Sequence, residues 1–517
     1  MKTYDLNQLY QAVPKSRRKK GIYLSPKARA MGVRISATKG TGKSRLSGRI
    51  IVYGDFLQGI PTLVIDPVGG LIADVLDKIS RCPKDVQREL WKRIRYVDMA
   101  GLAGEDGEQR VIPFPVYNQE YDESPFVIAN RYIDVIARID PALANAPLLG
   151  LNAFKRAAIN VGMLLSALGW QITEAEELLR NPKPYSEQII SVATTPELKK
   201  AAKYVLETVP SLKPQERDMQ LSAFLSKIED FQLDPVLKAM FGASTPGIDW
   251  HEVERKKQTV LIDFSRVEGE KRIPFLMFWV YWSFIRYIKQ RGAGKDERHT
   301  PWSLVFDEIT YLLGDPKVRN ELLAKDLVEL TDRISRSHNV WLTIVHQELN
   351  QLSEQVQETF MRIGTQIFGS TSDPESALLV ARRFMEYRPH LVKAADAVYS
   401  EGEQIDTRYS YFSIDEQREI NSRPIMGLRK FRFLIGLSED EGHLATELVP
   451  FTISHIDRDL YADGERVRLA KQRLMERDGM TVSEVQNTIA ERLRTAPRKV
   501  QSTDDDDSFY EPLDEPG

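Results

Sequence analysis

Six consecutive residues have the types and order of a phosphate-binding loop: Lys39, Gly40, Thr41, Gly42, Lys43 and Ser44. Glycines let backbone N–H groups close around an anion, and the N-terminus of a following helix favours negative charge. Lys43 could reach the β- and γ-phosphates of a nucleotide, and the Ser44 hydroxyl could bind Mg²⁺. The usual motif opens with glycine, and here that position holds Ala37. A chance surface turn is the alternative, but the strand pattern before the loop and the helical pattern after it favour a nucleotide site.

Two carboxylates, Asp307 and Glu308, directly follow the apolar run 302–306. An acid at the C-terminal end of a strand points into the crevice where ligands bind in open α/β sheets. Asp307 would hold Mg²⁺, directly or through water, and Glu308 would orient or deprotonate an attacking water. An apolar run followed by Asp-Glu is common by itself, so its position downstream of a phosphate loop is what favours a functional role.

Two polar residues flank the next apolar run, 340–345. Gln347 follows it, where an amide could sense the γ-phosphate, and a loop glutamine without a catalytic role is the alternative. Arg336 precedes it, at the close of the helical pattern 317–335, where it could be a solvated side chain or a favourable charge at a helix C-terminus. The residue types alone leave these alternatives open.

Strand patterns alternate with helical patterns along most of the chain, and these elements must position the residues above. An alternating order of this kind predicts an α/β fold with a mostly parallel sheet covered by helices on both faces. Two further runs, 430–437 and 447–453, predict a hairpin at the edge of that sheet. The other predicted strands are residues 31–35, 62–65, 94–97, 258–264, 303–306, 340–345 and 365–368.

The stretch 124–238 has few glycines and repeated helical spacing broken by short proline segments. It predicts an all-α domain inserted into the α/β core, because strand patterns resume after it. The most apolar run, 273–288, is shorter than the ~20 residues that a membrane span needs and contains Ser283 and Arg286. We interpret it as a buried core helix, and the sequence predicts no transmembrane segment.

Length, charge and cysteine content limit the possible functions. The chain of 517 residues exceeds one hydrophobic core, since cores stop growing at roughly 250 to 300 residues. Its net charge of -3 gives no overall nucleic-acid signature, so DNA contact would need local patches. The single cysteine, Cys82, excludes an internal disulfide and a multi-cysteine metal site, which suits a reducing cytoplasm. We expect a cytoplasmic protein whose basic N-terminus is a candidate for contact with the inner face of the cell membrane.

The chain divides by composition into consecutive parts. The acidic C-terminal tail is expected to be solvated, with a docking peptide around Phe509 and Tyr510 as the alternative. The predicted parts are a basic N-terminal arm (1–30), the first part of the nucleotide-binding core (31–123), the all-α insertion domain (124–238), the second part of the core (239–456), a C-terminal helical segment (457–500) and a disordered acidic tail (501–517).

The order of these motifs resembles the FtsK/HerA superfamily of hexameric DNA-pumping ATPases. The resemblance rests on the phosphate loop, LVIDP at 63–67, the helical insertion, VFDE at 305–308, and an arginine followed eleven residues later by a glutamine that ends a strand. Within the superfamily the chain looks most like the conjugative coupling proteins of type IV secretion, the TraG/TraD type, which carry an all-α domain between the two halves of the nucleotide site. The resemblance covers roughly residues 21–456 and implies a RecA-like P-loop NTPase core.

The resemblance also implies the cofactors and the roles of the site residues. ATP and Mg²⁺ would be bound by residues 39–44, with Ser44 and Asp307 as metal ligands. Glu308 would act on the attacking water and Gln347 would couple hydrolysis to movement. The arginine at the matching position, Arg336, would be a finger that reaches the nucleotide of a neighbouring subunit, an interaction that accounts for a rate factor of roughly 10³ to 10⁵ in related chemistry.

The favoured hypothesis is therefore a ring-forming motor, expected to be a hexamer, that pumps DNA during conjugation and works with a secretion-channel or relaxase-like protein. Loops such as 265–272 could supply positive charge for DNA, with ordinary solvated loops as the alternative. The other hypotheses are a HerA-like helicase or translocase in repair, defence or packaging, and a nucleotide-dependent switch that is not a motor. Two departures from the coupling proteins are the lack of predicted N-terminal transmembrane helices and Val68 in place of a lysine in the second-strand motif.

Overall fold

Short apolar runs form the central sheet, because strands covered by helices on both faces bury all of their side chains. The computed structural model describes residues 24–119, 123–140, 148–269, 272–292, 300–313, 321–348, 352–384, 387–400, 403–437, 448–453 and 462–494. The strands of these residues are β1 (Val33–Ser36), β2 (Thr62–Asp66), β3 (Ile94–Asp98), β4 (Leu102–Ala103), β5 (Gln109–Val111), β6 (Thr259–Asp263), β7 (Trp302–Phe306), β8 (Val340–His346), β9 (Thr365–Phe368), β10 (Val392–Ser400), β11 (Glu403–Tyr411), β12 (Arg432–Gly436), β13 (Val449–Thr452) and β14 (Met480–Thr481).

The main sheet has the strand order β13-β12-β9-β1-β8-β7-β2-β6-β3. From β9 to β3 every neighbouring pair is parallel, whereas β12 runs antiparallel to β9 and β13 antiparallel to β12. The predicted α/β class with a mostly parallel sheet and an edge hairpin is therefore confirmed. Because the carboxyl ends of the parallel strands meet at one edge, the residues that follow β1, β7 and β8 lie near one another.

Helices cover both faces of the sheet and form the insertion. Wider π-helical turns occupy Ile50–Phe56, Tyr204–Thr208 and Leu330–Ile334, and 3-10 turns occupy Ile172–Glu174 and Lys183–Tyr185. The α-helices are Pro26–Ala30, Lys43–Arg49, Gly70–Ser80, Lys84–Lys92, Pro125–Ile139, Leu148–Leu168, Ala175–Arg180, Ser186–Val192, Pro196–Lys203, Val209–Ser211, Pro214–Leu233, Pro235–Gly242, Trp250–Lys256, Arg272–Arg291, Thr310–Leu313, Glu321–Glu329, Ser335–Ser337, Glu354–Met361, Pro374–Phe384, Ile414–Met426, Gly464–Asp478 and Val482–Arg494.

The chain between β5 and β6 contains only helices among its described residues, as the predicted all-α insertion requires. Several of these helices begin at a proline preceded by a capping side chain, because proline suits the first helical turn and a Ser, Thr or Asp oxygen accepts an otherwise unpaired N–H. Such pairs are Ser124–Pro125, Thr195–Pro196 and Asp234–Pro235. The residue numbers of the domain boundaries stay predictions.

The helix Arg272–Arg291 connects the insertion to the sheet. The ring centroid of Phe275 lies 5.5 Å from that of Phe231 and 6.0 Å from that of Phe241, which belong to the two helices that close the insertion. Half of its residues are buried, all of them between Leu276 and Ile288, so the interpretation of the apolar run as a core helix is confirmed. Among the helices of the described residues, none is long and apolar enough to cross a membrane.

The last two helices contact both the sheet and the insertion. Lys471 Nζ lies 2.6 Å from the Asp263 carboxylate at the end of β6. Arg492 Nε donates to Glu174 Oε1 at 2.8 Å, and Glu174 is fully buried in the insertion. The predicted C-terminal helical segment is thus a packed part of the fold.

Three features of the fold were not predicted. β14, β5 and β4 form a small antiparallel sheet. β10 and β11 form a separate antiparallel hairpin, and the side chains of residues 392–395 in it are exposed. The end of the predicted N-terminal arm forms the helix Pro26–Ala30, whose Arg29 side chain is buried 2.6 Å from Asp55. Residues 1–23 of the arm and the predicted acidic tail lie outside the described residues.

Candidate nucleotide site

The turn between β1 and the helix Lys43–Arg49 contains the predicted phosphate-binding residues. Gly40 and Gly42 have φ angles of 83° and 106°, a region that residues with a side chain rarely adopt. Thr41 Oγ1 donates to the carbonyl oxygen of Thr38 at 2.8 Å, which closes the turn on itself. A glycine-bearing turn that enters a helix N-terminus presents backbone N–H groups to an anion.

Lys43 is the nearly buried cation of this turn. Its Nζ donates to the backbone carbonyl of Ala37 at 2.6 Å and lies 2.9 Å from Glu308 Oε1. The contact with Ala37 uses only the backbone, so alanine in place of the usual glycine leaves it possible. Ser44 is half-buried in the first helical turn, and Lys39 is exposed at the mouth of the loop. The structure therefore brings the predicted lysine and the predicted carboxylate pair together.

The carboxylates Asp307 and Glu308 follow β7 at the same edge of the sheet. Their exposed fractions are 3% and 7%, and Glu308 has a φ angle of 48°, an unusual conformation for a residue other than glycine. Among the described residues, no donor reaches Asp307 Oδ1 or Glu308 Oε2. Buried carboxylate oxygens without a donor are costly, and such atoms are retained at ligand and catalytic sites.

The environment of Asp307 favours its protonated form. Burial raises the pKa of Asp307 well above its usual range, and the nearby carboxylates of Asp66 and Glu308 raise it further, against a smaller opposing effect of Lys43. A divalent cation at this position would supply the missing positive charge and favour the ionised carboxylate.

Asp66 ends β2, the strand next to β7. Its carboxylate accepts hydrogen bonds from the backbone N–H groups of Val68, Gly69 and Ile72 at 2.9, 2.7 and 3.0 Å. It therefore caps the helix that follows, and it acts on Asp307 through its charge. Val68, which replaces a lysine of the family motif, contributes its backbone to this cap and has a side chain that is 49% exposed.

Gln347 follows β8, which lies between β1 and β7. Its side chain is half-buried, and its backbone carbonyl accepts a hydrogen bond from Ser36 Oγ at 3.1 Å. Gln347 is thus attached to the strand that leads into the phosphate loop. The topology places the glutamine between the loop and the carboxylates.

Arg336 lies away from this group. It is exposed in the short helix Ser335–Ser337 that precedes β8, whereas Lys43 and Glu308 lie at the edge where the parallel strands end. The seven residues of β8 separate the two edges by about 20 Å, at roughly 3.3 Å per residue. Arg336 therefore cannot reach the nucleotide site of its own chain.

The metal-binding groups of the candidate site suit Mg²⁺ better than they suit a metal ion whose ligands all come from the protein. Within the described part of the chain, no group of three or more His, Cys, Asp or Glu side chains could hold a metal ion. Mg²⁺ is usually held by one or two carboxylates together with water and substrate phosphates. The unpaired Asp307 Oδ1 and the Ser44 hydroxyl fit that requirement.

The loop 265–272, a candidate for DNA contact, uses its arginines within the chain. Arg266 Nη1 donates to Asp98 Oδ2 at 3.2 Å. Arg272 Nη1 donates to Asp234 Oδ2 at 2.7 Å. These acids neutralise the loop arginines, which favours the alternative of an ordinary structured loop.

One residue that contacts the phosphate loop was not predicted from the sequence. Phe431 precedes β12, and its N–H donates to the carbonyl oxygen of Thr41 at 2.9 Å. It has a φ angle of 67°, a conformation that a sequence pattern would assign to glycine or asparagine. The sequence placed Phe431 within the predicted strand 430–437, whereas β12 begins at Arg432, so the turn and its contact with the loop had no sequence signal.

Comparison with known proteins finds similarity at the level of structure. No protein-family model matches the chain, and no curated protein matches it either. The bacterial conjugative coupling protein TrwBdeltaN70, in its unbound monoclinic form, is 13% identical with a TM-score of 0.52, over 87% of this chain and 92% of that chain. The plasmid coupling protein TrwB in complex with ADP and Mg²⁺ is 14% identical with a TM-score of 0.51, over the same shares of 87% and 92%.

At these identities the likeness establishes a shared fold. The RecA-like core with its helical insertion is confirmed, and so is the resemblance to conjugative coupling proteins as a resemblance of fold. The TrwB complex holds ADP and Mg²⁺ in that fold. The roles of individual residues in this chain stay predictions.

Proposed function

We propose that this protein is an ATP-hydrolysing motor subunit that moves DNA, in the manner of a conjugative coupling protein and within a ring of identical subunits. The observation that carries the proposal is the 2.9 Å pair between Lys43 and Glu308 beside the unpaired oxygen of Asp307, at the carboxyl edge of the sheet. A phosphate-loop lysine next to strand-terminal carboxylates is the arrangement of NTP hydrolysis. The fold shared with TrwB, which binds ADP and Mg²⁺, supports this chemistry.

The Lys43–Glu308 pair suggests how binding prepares hydrolysis. Phosphate oxygens compete with Glu308 for Lys43, so binding of a nucleotide releases the glutamate from its only charged partner among the described residues. Glu308 then orients or deprotonates the attacking water. Asp307 and Ser44 would hold Mg²⁺, which would neutralise negative charge on the phosphates. Gln347, fixed through its backbone to Ser36, lies where it can report the state of the γ-phosphate.

The position of Arg336 supports an assembly-dependent reaction. Because Arg336 is exposed at the edge of the sheet opposite to the phosphate loop, it could complete only the site of another subunit. A finger supplied in this way makes hydrolysis depend on oligomerisation, and the hexameric ring expected from the family resemblance would supply it. DNA would pass through such a ring, delivered by a secretion-channel or relaxase-like protein.

The experiment that tests the proposal measures ATPase rate per subunit against protein concentration, with and without DNA. We expect the wild-type rate to rise with concentration and with DNA. Arg336→Ala should lose roughly 10³-fold or more of the rate while nucleotide binding survives. Arg333→Ala is the matched control, since Arg333 is also exposed and lies three residues earlier on the same helical segment.

The other outcomes separate the competing functions. A rate that is independent of concentration, DNA and Arg336 would contradict the motor and favour a nucleotide-dependent switch. A DNA-stimulated rate together with unwinding of a duplex would favour a HerA-like helicase.

A further inference from the structure

Phe431 belongs to a tight turn that closes against the phosphate loop. The turn Arg429–Arg432 is closed by a hydrogen bond from Arg432 N–H to the carbonyl oxygen of Arg429 at 3.0 Å. Phe431, at its third position, has a φ angle of 67°. Glycine is preferred where a turn needs a positive φ, so phenylalanine here carries a conformational cost of about 1 kcal/mol. A contact outside the turn must compensate this cost.

The compensating contacts are with the phosphate loop and the edge hairpin. The Phe431 N–H donates to the Thr41 carbonyl at 2.9 Å, and the Phe431 carbonyl accepts from Ile453 N–H at 3.0 Å. The Phe431 ring covers Gly42 so closely that a Cβ atom added to Gly42 would lie 2.5 Å from Cδ1 of the ring. Lys430 Nζ lies 4.9 Å from the centroid of the same ring. The end of the β12–β13 hairpin is thus attached to the loop by backbone and side chain.

The hydrogen bond to Thr41 fixes the direction of the next backbone donor. A trans peptide unit is planar, so its C=O and N–H groups point in opposite directions. With the Thr41 carbonyl directed to Phe431, the Gly42 N–H must point away from the hairpin. Gly42 directly precedes Lys43, and its N–H is one of the donors that a phosphate loop offers to an anion.

We infer that Phe431 is a positioning residue of the nucleotide site, which holds the Thr41–Gly42 peptide in the orientation that binds phosphate. The inference rests on the proposed function, because it names a residue that prepares the same site. It assigns the edge hairpin a purpose beyond closing the sheet: the hairpin pre-organises the loop before a ligand arrives. Pre-organisation increases affinity because the cost of ordering is met before binding.

The test compares three variants in binding of ADP and of inorganic tripolyphosphate, with thermal stability measured in parallel. Phe431→Gly keeps the N–H and favours the positive φ, but removes the ring that covers Gly42. Phe431→Pro removes the N–H and cannot adopt the observed φ. Phe451→Ala is the matched control, because Phe451 stacks on Phe433 in the same hairpin, with ring centroids 5.7 Å apart.

We expect Phe431→Pro to weaken the binding of ADP and of tripolyphosphate by the same factor. That factor should be about tenfold, which corresponds to one lost hydrogen bond to the loop. Phe431→Gly should weaken both by roughly threefold, since the hydrogen bond remains. Phe451→Ala should lower the melting temperature and leave both affinities within about twofold, since the hydrogen bond and the ring contact to the loop come from Phe431.

Three results would overturn the inference. One is an unchanged affinity of both Phe431 variants for tripolyphosphate, and another is weakening of ADP alone, which would indicate contact with the nucleoside instead. The third is an equal loss in Phe451→Ala, which would indicate general destabilisation of the hairpin. If wild-type protein binds neither ligand, both the proposed function and this inference are contradicted. If wild-type protein binds the ligands, and binding is lost in Lys43→Ala but unchanged in the Phe431 variants, only this inference is contradicted.

Discussion

Four aspartates lie in a row at the carboxyl edge of the sheet, and the two halves of the row differ in whether the chain itself supplies a partner for each carboxylate. The neighbouring strands β7, β2, β6 and β3 each lead into an aspartate at their carboxyl end, in the order Asp307, Asp66, Asp263 and Asp98. Asp263 is in register with both Asp66 and Asp98. The outer half of the row, Asp263 and Asp98, is paired within the chain, whereas the inner half ends at Asp307, which has an unpaired oxygen.

The outer half of the row is a structural ion-pair network. Lys471 Nζ lies 2.6 Å from Asp263 Oδ2, and the Tyr96 hydroxyl donates to the same oxygen at 3.0 Å. Although burial alone would raise it, Lys471 and Ser265 together hold the pKa of Asp263 below its usual range. Asp98 pairs with Arg266 at 3.2 Å. These acids attach the helix Gly464–Asp478 and a loop to the sheet.

The comparison teaches which strand-terminal acids belong to a site. All of these aspartates follow buried strands, so strand position alone does not separate them. Burial raises the pKa of Asp66 and of Asp98 as well, so a raised pKa does not separate them either. What separates Asp307 is an unpaired oxygen and a glutamate neighbour 2.9 Å from the phosphate-loop lysine. A buried acid that the chain itself does not neutralise is one that a ligand can neutralise.

The substitution Glu308→Gln tests the contrast between the two halves of the row with the largest expected effect, which is on the ATPase rate. The amide cannot accept a proton from water, so we expect the ATPase rate to fall by roughly 10² to 10⁴ with nucleotide affinity retained. Asp98→Asn, at the outer end of the row, should leave the rate within about twofold, since the hydrogen-bond partners of the Asp98 carboxylate among the described residues are Arg266, Tyr96 and Ala100, which lie outside the candidate site. Steady-state kinetics with a parallel binding assay check both. Equal losses in the two variants would contradict the division of the row.

The fold was predictable because its local signals agree with one another. Each strand of the parallel sheet is short and, apart from the half-buried Arg95, consists of buried residues. The insertion contains capped helices that begin at a proline, which are recognisable in the sequence. The candidate site was predictable in its residue types because the loop and the acids follow such strands directly. The Lys43–Glu308 pair and the half-buried Gln347 agree with that prediction in position, while their roles stay predictions.

The features that could not be predicted depend on contacts between residues that are distant in sequence or on unusual backbone conformations. Lys471 neutralises Asp263 across 208 positions, so no local pattern separates Asp263 from Asp307. The positive φ angles of Glu308 and Phe431 contradict the ordinary preferences of their residue types. The β10–β11 hairpin was missed although its second strand alternates Ile405, Thr407, Tyr409 and Tyr411 with polar residues, a pattern typical of a strand. The first strand, VKAADAVYS, lacks a clear apolar alternation.

A smaller effect, on stability, is expected from Asp263→Asn. The substitution leaves Lys471 without its carboxylate partner in a site where the two side chains are 18% and 1% exposed. We expect the free energy of unfolding at neutral pH to fall by about 3 kcal/mol, the lower range for breaking a buried pair. Because the pKa of Asp263 is lowered on folding, its contribution is present above the usual carboxyl pKa and is lost as the pH falls.

Urea unfolding of Asp263→Asn at several pH values checks this prediction. The difference from wild type should shrink towards acid pH, where both proteins lack the charge. The double variant Asp263→Asn with Lys471→Met should recover part of the loss, because it removes the unpaired ammonium. A difference that grows towards acid pH would show that Asp263 is not stabilised by Lys471.

The smallest expected effect is that of Asp307→Asn in magnesium-free buffer, where the substitution should increase the free energy of unfolding. Burial, then Asp66 and Glu308, raise the pKa of Asp307, so the unfolded chain releases this proton before the folded chain does. Wild type therefore loses stability relative to the variant as the pH rises from the usual carboxyl pKa through the raised one, by about 1.4 kcal/mol per unit of pKa shift. We expect the variant to be the more stable protein by about 1 kcal/mol or more at pH 8, and equal to wild type near pH 4.

Added Mg²⁺ with ADP should stabilise wild type more than the variant, since binding to the folded state alone raises stability. A variant that is less stable than wild type at pH 8 without Mg²⁺ would mean that Asp307 is paired in the folded protein, and the two halves of the row would then be alike.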